Sequence, residues 1–363
     1  MPSPRERRSM TSRPGRDTPS RSLSEESQAT LRSLQDQLGE FQESLLLTSV
    51  QDDLGEMRST LTLLPTEIEN LRSRGYVFRG YLEKKVEVLG GQWDDTSRQV
   101  TREVTRLTRE LQREADEAER ALNQAMGGGT VPISRAQSAV DALEHRIHAA
   151  QAAAQAMYET LQENVAQTKS QIDEAVWMLD QLEQASFGLL PAEDPVAACK
   201  AQFMETRKDG PEGVLYLTDE RLIFEQKEKK TTKKVLFIAT EKETVQELIF
   251  AVPIGQVEDV QTSQKGLLGR KEMVRLLFAP AADLSDATIR LRGADNDEWA
   301  ALIGRVRSGE ITKERSHPKE EETLEEVRAV PTKCTTCGAS ISVEIVRGMR
   351  EITCEYCGSV IRL

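Results

Sequence analysis

From Leu31 the apolar residues recur three and four positions apart: Leu31, Leu34, Leu38, Phe41 and Leu45. After a short slip the pattern resumes at Leu47, Val50, Leu54, Met57, Leu61, Leu64, Ile68 and Leu71. This spacing lays one stripe along a helix. Pro65 interrupts it and predicts a kink or a new helix start, because proline removes a backbone donor and crowds the preceding turn. Gly75, Gly80, Gly90 and Gly91 predict further weakening, although Tyr76, Phe78, Tyr81, Leu82, Val86, Leu89 and Trp93 keep an apolar face. A second stripe follows at Val100, Val104, Leu107, Leu111, Ala118, Ala121 and Ala125, flanked by Arg and Glu. The breaker Gly127-Gly128-Gly129-Thr130-Val131-Pro132 predicts a helix reversal. A third stripe runs from Ile133 through Val140, Leu143, Ile147, Met157, Leu161, Val165 and Ile172 to Leu182. Read as one helix it would span on the order of 80 Å. A stripe that long must be covered by the preceding helices, by a second copy of the chain, or by both. Residues 25–188 are therefore expected to form a long helical coiled coil that self-associates into a homo-oligomer.

Beyond Phe187-Gly188 and the prolines at 191 and 195, the period changes from 3.6 to 2. Short alternating runs predict strands over 199–204, 213–217, 221–226, 234–240, 246–252, 257–262, 273–278 and 287–292. One helix closes the series. Asp295 or Asn296 can cap it, Asp297 and Glu298 suit its positive end, and Trp299, Leu302, Ile303 and Val306 form its apolar face. Gly309 follows its last turn. Seven or eight strands and a C-terminal helix with a buried Trp resemble the pleckstrin-homology (PH) superfold. The hairpin Gly213-Val-Leu-Tyr-Leu-Thr-Asp-Glu-Arg-Leu-Ile-Phe224 resembles, more narrowly, a GRAM domain, as does the strand entry Val252-Pro-Ile-Gly-Gln-Val-Glu-Asp-Val260. The resemblance covers residues 195–310. It implies binding of a partner protein or of membrane phospholipid, and no catalysis. The basic loop residues such a domain would use are Arg207 and Lys208, then Lys229, Lys230, Lys233 and Lys234, then Lys265, Arg270 and Lys271. The last set brackets Leu267 and Leu268, which could enter a bilayer interface while the cations meet anionic head groups.

The two ends differ from these domains. Residues 1–24 are rich in Ser, Pro and Arg and offer nothing apolar to bury, so they read as a disordered basic tail. Residues 311–330 are charged, mainly acidic, and read as a linker that lets the C-terminus move independently. In residues 331–363, Cys334-Thr-Thr-Cys337 and Cys354-Glu-Tyr-Cys357 form two C-x2-C pairs, separated by the about 15–20 residues of a four-cysteine zinc site. A glycine follows each pair, Gly338 and Gly358, and permits the positive φ that turns backbone N–H groups toward the sulfurs. Ile341, Val343 and Ile345 alternate, Gly348 can turn the chain, and Ile352 returns it. This stretch resembles a zinc ribbon. Four thiolates would hold one Zn²⁺ ion and leave no open position, so the metal should be structural.

Composition narrows the function classes. The chain has 363 residues with only 4% aromatics, too few for one large globular core, and a net charge of −12 that argues against a nucleic-acid binder held by overall charge. Nucleic acid remains an alternative partner only through the ribbon and the N-terminal arginines (Arg5, Arg7, Arg8, Arg13, Arg16 and Arg21). Four of the five cysteines sit in the two pairs, which favours metal in a reducing compartment over disulfides; Cys199 reads as core. There is no apolar signal segment after the first arginines and no run long enough to span a bilayer, so a cytoplasmic protein, peripheral to a membrane at most, is expected. His145 and His148 lie three apart on the third stripe, without a third donor at matching spacing. No phosphate-binding loop, H-E-x-x-H motif or nucleophile pattern is present, so no catalytic residue is expected.

Overall fold

The computed structural model describes residues 24–127, 130–204, 210–235, 238–265, 271–319, 332–341, 343 and 345–362, with backbone only over 229–235 and 238–244. The chain divides into two compact units. One comprises Met1–Glu56 with Trp93–Thr160, the other Met57–Gln92 with Leu161–Leu363.

Among the described residues five helices come first: α1 (Glu25–Leu45), α2 (Thr48–Ser73), α3 (Leu82–Ala125), α4 (Thr130–Ala156) and α5 (Glu159–Leu182). Ser24 caps α1, its hydroxyl accepting the Ser27 N–H at 3.2 Å. In the first unit α4 buries Ala136, Val140, Leu143, Ile147, Ala150 and Ala154 against its own chain, α1 included. Arg146 pairs with Glu114 at 3.2 Å across the reversal between α3 and α4. The histidines at 145 and 148 are exposed.

Three expectations for these helices need correction. Pro65 lies inside α2 without ending it. Its ring faces solvent while Leu64, Ile68 and Leu71 are buried, so the helix continues past it with its apolar stripe unbroken. Gly90 and Gly91 lie within α3, where a Cβ on either would meet nothing. The third stripe is two helices. At the break Met157 and Tyr158 donate to the carbonyls three residues back, Ala154 and Gln155, at 3.2 and 3.0 Å. These tighter turns shift the phase, so Tyr158 turns inward and Met157 is exposed. The Tyr158 hydroxyl donates to Asp53 at 2.6 Å.

In the second unit the Arg72 side chain gathers the loop between α2 and α3. The Arg72 guanidinium donates to the carbonyls of Tyr76, Phe78 and Arg79 and pairs with Glu83. Arg74 and Arg79 pair with Asp180 and Glu174 of α5.

The β-rich part is one seven-stranded antiparallel sheet: β1 (Pro195–Phe203), β2 (Glu212–Thr218), β3 (Arg221–Val235), β4 (Ile238–Pro253), β5 (Val257–Lys265), β6 (Lys271–Phe278) and β7 (Asp286–Arg292), in the order β4-β3-β2-β1-β7-β6-β5. The expected strand at 234–240 is not separate. β3 and β4 are longer than their apolar runs and carry their pairing to Val235 and Ile238.

The sheet curls. Phe250 of β4 lies 5.9 Å from Phe278 of β6, although these strands are far apart in sheet order. Phe203, Phe224 and Phe250 complete the aromatic centre. Helix α6 (Asn296–Arg307) covers the half-barrel with Trp299, Ile303 and Val306, and the Asp295 carboxylate caps it by accepting the Asp297 and Glu298 N–H groups. The outer face of β2 and β3 is covered too. Val214, Tyr216 and Ile223 pack against Trp177, Leu182 and Phe187, so β2 is buried almost throughout. At Gly213 an added Cβ would fall 1.9 Å from the Glu225 carbonyl oxygen, so only glycine fits that register.

The segment after α6 departs from the expected linker. A 3₁₀ turn spans Glu310–Glu314, and the chain then crosses the α2–α3 loop. Gly80 N–H donates to Glu314 O at 2.7 Å, and Ser316 N–H to Val77 O at 2.7 Å. Arg315 stacks over Phe78 at 5.1 Å. Residues 311–319 are therefore anchored by Ile311 and Arg315, which are covered, while Thr312, Lys313 and residues 316–318 stay exposed. The rest of the expected linker, to 330, lies outside the described residues.

Candidate metal centre

Each cysteine pair sits on a turn closed in the same way. Gly338 N–H donates to Cys334 O, and Gly358 N–H to Cys354 O, both at 2.8 Å. Cys334 N–H reaches Ala339 O, and Cys354 N–H reaches Ser359 O. Gly338 and Gly358 have φ of 73° and 70°, the left-handed conformation that glycine adopts freely. The two knuckles place all four sulfurs within 4.8 Å of one another. Cys334 Sγ lies 3.7 Å from Cys357 Sγ, and Cys337 Sγ lies 3.7 Å from Cys354 Sγ. A tetrahedron of thiolates around zinc, with Zn–S of about 2.3 Å, has edges of about 3.8 Å. The sulfurs are thus spaced for one ion and too far apart for disulfides.

The surroundings fit that reading. Beneath the cysteines, Ile352 and Ile361 form a small core with Ile341, Val343, Ile345 and Met349 against it. The expected turn at Gly348 is present, with φ of 82°, and among the described residues the paired strands are β8 (Glu351–Thr353) and β9 (Val360–Arg362), across the second knuckle. The Ser359 hydroxyl lies 3.3 Å from Cys334 Sγ and 3.1 Å from Cys357 Sγ. It draws the Cys334 thiol down to about 5 and lowers that of Cys357. Cys337 accepts from the Ala339 N–H, which favours its thiolate, yet the neighbouring sulfurs of Cys357, Cys334 and Cys354 push it up to about 12. Four thiolates cannot all ionise side by side without a cation, and a divalent ion removes that conflict. Ser359 has no spacing signature and was invisible in the sequence. Cys199 is buried on β1, and burial pushes its thiol up.

A second constellation lies at the β2–β3 turn. Thr218 Oγ1 accepts from the N–H groups of Glu220 and Arg221 and donates to Glu193 at 2.6 Å. Arg221 forks onto Glu193 at 3.0 and 2.7 Å and donates to Gly188 O. Both side chains are essentially excluded from solvent, at 5% and 0%. Asp219 accepts Asp194 N–H at 2.8 Å and pairs with Arg315 and Lys319 at 3.3 and 2.9 Å. Burial holds the Asp219 carboxyl above the usual range, against the opposing pull of Asp194 N–H and Lys319. Asp194 in turn pairs with Arg315 at 2.6 Å and Arg347 at 3.1 Å. The Thr-Asp-Glu-Arg turn that carried the family resemblance thus joins residues 188–194 to the segment after α6, and Asp194 carries the connection on to Arg347 of the cysteine-bearing C-terminus.

The expected docking residues are less sharply placed. Lys265 and Lys271 face each other at the β5–β6 end and are exposed. Lys229, Lys230, Lys233 and Lys234 lie on β3, with only their backbone described. Arg207, Lys208, Leu267, Leu268 and Arg270 lie outside the described residues, as do residues 1–23. No described helix is long and apolar enough to cross a membrane.

No family model matches the chain, and no curated protein does. Among solved structures it is similar to the Vps36 N-terminal PH domain, at 16% identity over 34% of this chain and 86% of that one, with a TM-score of 0.24. It is also similar to the DH/PH domains of p115-RhoGEF, at 13% identity over 79% and 95%, with a TM-score of 0.21. A C-terminal domain of an unknown protein from Leishmania infantum matches at 14% identity over 31% and 84%, with a TM-score of 0.21. The architecture described above rests on this chain's own strand order, curl and closing helix, not on those likenesses.

Proposed function

We propose that this chain is a non-enzymatic scaffold: a helical region that sets distances, a PH/GRAM-like domain that docks a protein partner, and a C-terminal ribbon folded by one structural Zn²⁺. The observation that carries the reading is the four-sulfur cluster. Its spacing suits a tetrahedral ion, and among the described residues no other His, Cys, Asp or Glu joins it, so the ligand set is closed. A closed set holds a fold together and leaves no position for substrate.

Self-association rests on less than the stripes promised. The α4 stripe is covered within the chain, so a second copy would have to use outward apolar positions such as Leu63 and Val88. The test is one preparation of the full chain, measured for zinc and for mass by light scattering. One zinc per chain in an oligomer supports both parts of the reading. A monomer removes the self-association, and a metal-free chain with a folded C-terminus removes the ribbon.

Membrane docking through the basic loops is the competing reading, favoured by the exposed pair Lys265 and Lys271. Co-sedimentation with anionic vesicles at low salt decides it: binding abolished by Lys265→Glu with Lys271→Glu would replace the protein partner with a lipid surface.

A further inference from the structure

The ribbon meets the sheet domain through one turn. Val346 and Arg347 lead into Gly348, whose φ is 82°, and Met349 N–H closes the turn onto Val346 O at 3.1 Å. Arg347 N–H donates to Leu189 O at 2.6 Å. Its guanidinium donates to Pro191 O at 3.3 Å and Glu193 O at 2.6 Å and pairs with the Asp194 carboxylate. Val346 fills the space beside Gly188, where an added Cβ would come within 2.8–3.0 Å of its side chain.

The receiving segment is built without help from the ribbon. Glu193 is fixed by Arg221, Thr218 and the Leu190 N–H, Asp194 by its N–H on Asp219 and its carboxylate on Arg315, and Gly188 O by Arg221. The Leu189, Pro191 and Glu193 carbonyls between these anchors accept from Arg347, whose planar guanidinium takes the last two together with the Asp194 carboxylate. The presenting turn is different. Ile345 and Met349, either side of it, pack on the cluster of Cys334, Ile352, Cys354 and Ile361. About thirty residues cannot hold such a turn without the ion.

We infer that residues 188–194 are a guanidinium-binding site on the sheet domain, that its ligand is the ribbon's own Val346-Arg347 turn, and that metal binding controls its occupancy. The last clause rests on the metal reading above; the first two do not. The ribbon is then a latch that closes when zinc is bound and frees the site when zinc is removed.

Hydrogen exchange on the full zinc-loaded chain tests this, read in peptides covering 345–350 and, as an internal control, α6. Gly188→Val blocks the seat of Val346 from the sheet side and touches no ribbon residue. It should keep its zinc and the α6 protection while exchange over 345–350 speeds up about tenfold or more. Arg347→Ala should do the same, with Arg347→Lys between it and the parent. Chelation of the parent should release 345–350 as well. Unchanged exchange over 345–350 in both Gly188→Val and Arg347→Ala would overturn the site. Release in the variants but not on chelation would leave the site standing and overturn its control by metal.

Discussion

Glu193→Gln tests the buried node that ties the segment before β1 to the β2–β3 turn. The carboxylate receives four donors: Arg221 Nε at 3.0 Å, Arg221 Nη2 at 2.7 Å, the Thr218 hydroxyl at 2.6 Å and the Leu190 N–H at 2.7 Å. Each of its oxygens faces two of them. An amide keeps the shape but turns one oxygen into a donor, so two donors must then face an NH2 group. It also removes the charge opposite a guanidinium that is only 5% exposed. Removing one partner of a buried pair costs about 3–5 kcal/mol. With an m-value of about 2 kcal/mol/M, the urea midpoint of the sheet domain should fall by about 1.5–2.5 M. Trp299, buried under α6, reports that transition by fluorescence. The paired replacement Glu193→Leu with Arg221→Met should cost less than either single change. It removes both charges together and leaves the Leu190 N–H without its acceptor and Gly188 O without its Arg221 donor, at about 1–3 kcal/mol each, while the Thr218 hydroxyl can still donate to Arg221 O at 3.1 Å. A shift under about 0.5 M for Glu193→Gln, or a double variant as destabilised as the sum of its singles, would refute the pairing as the domain's organising contact.

Other outcomes follow from single residues. In a thiol titration of the zinc-loaded chain, chelation should expose four reactive cysteines and denaturant the fifth, since Cys199 is buried with its thiol pushed up; five reactive thiols before unfolding would contradict its placement. Tyr158→Phe should cost about 1.5–3 kcal/mol of helical-unit stability by circular dichroism, because it deletes a short hydrogen bond to the Asp53 carboxylate. For Asp219, burial raises the folded pKa, so the unfolded chain loses this proton first. Its contribution is fully present below the unfolded carboxylate pKa of about 3.9 and is lost as pH rises through the raised folded value. Relative to Asp219→Asn, the native chain should therefore lose stability as pH climbs from below that value toward neutrality. A native advantage that grew with pH would mean that Arg315 and Lys319 outweigh the burial.

What the sequence could disclose depended on whether the signal was local. The cysteine spacing, the glycines after each pair and the Asp295 cap are local, and the structure places them where their chemistry needs them. The phase shift at Tyr158 was not legible, because a 154-157-161 spacing and a 154-158-161 spacing both read as one helical stripe; only packing chooses Tyr158 over Met157. Pro65 misled as a helix start for a related reason: its ring lies on the exposed side of α2, a placement only packing reveals. The ion-pair node was hidden more deeply. Glu193, Asp194, Arg315 and Arg347 are four charges in a chain that is 30% charged, and nothing nearby in sequence marks them. They become recognisable from the Thr218-Asp219-Glu220-Arg221 turn, whose side chains reach 25 to 96 residues along the chain to Glu193, Asp194 and Arg315. A turn that makes so many distant contacts is constrained at Thr218, Asp219 and Arg221, which gives those three residues a structural cause independent of any ligand. The resemblance to a lipid- or protein-binding family therefore draws its strongest local motif from residues that hold this chain together, and evidence for a docking function has to come from the exposed lysines, or from the 188–194 site once the Val346-Arg347 turn that fills it has left.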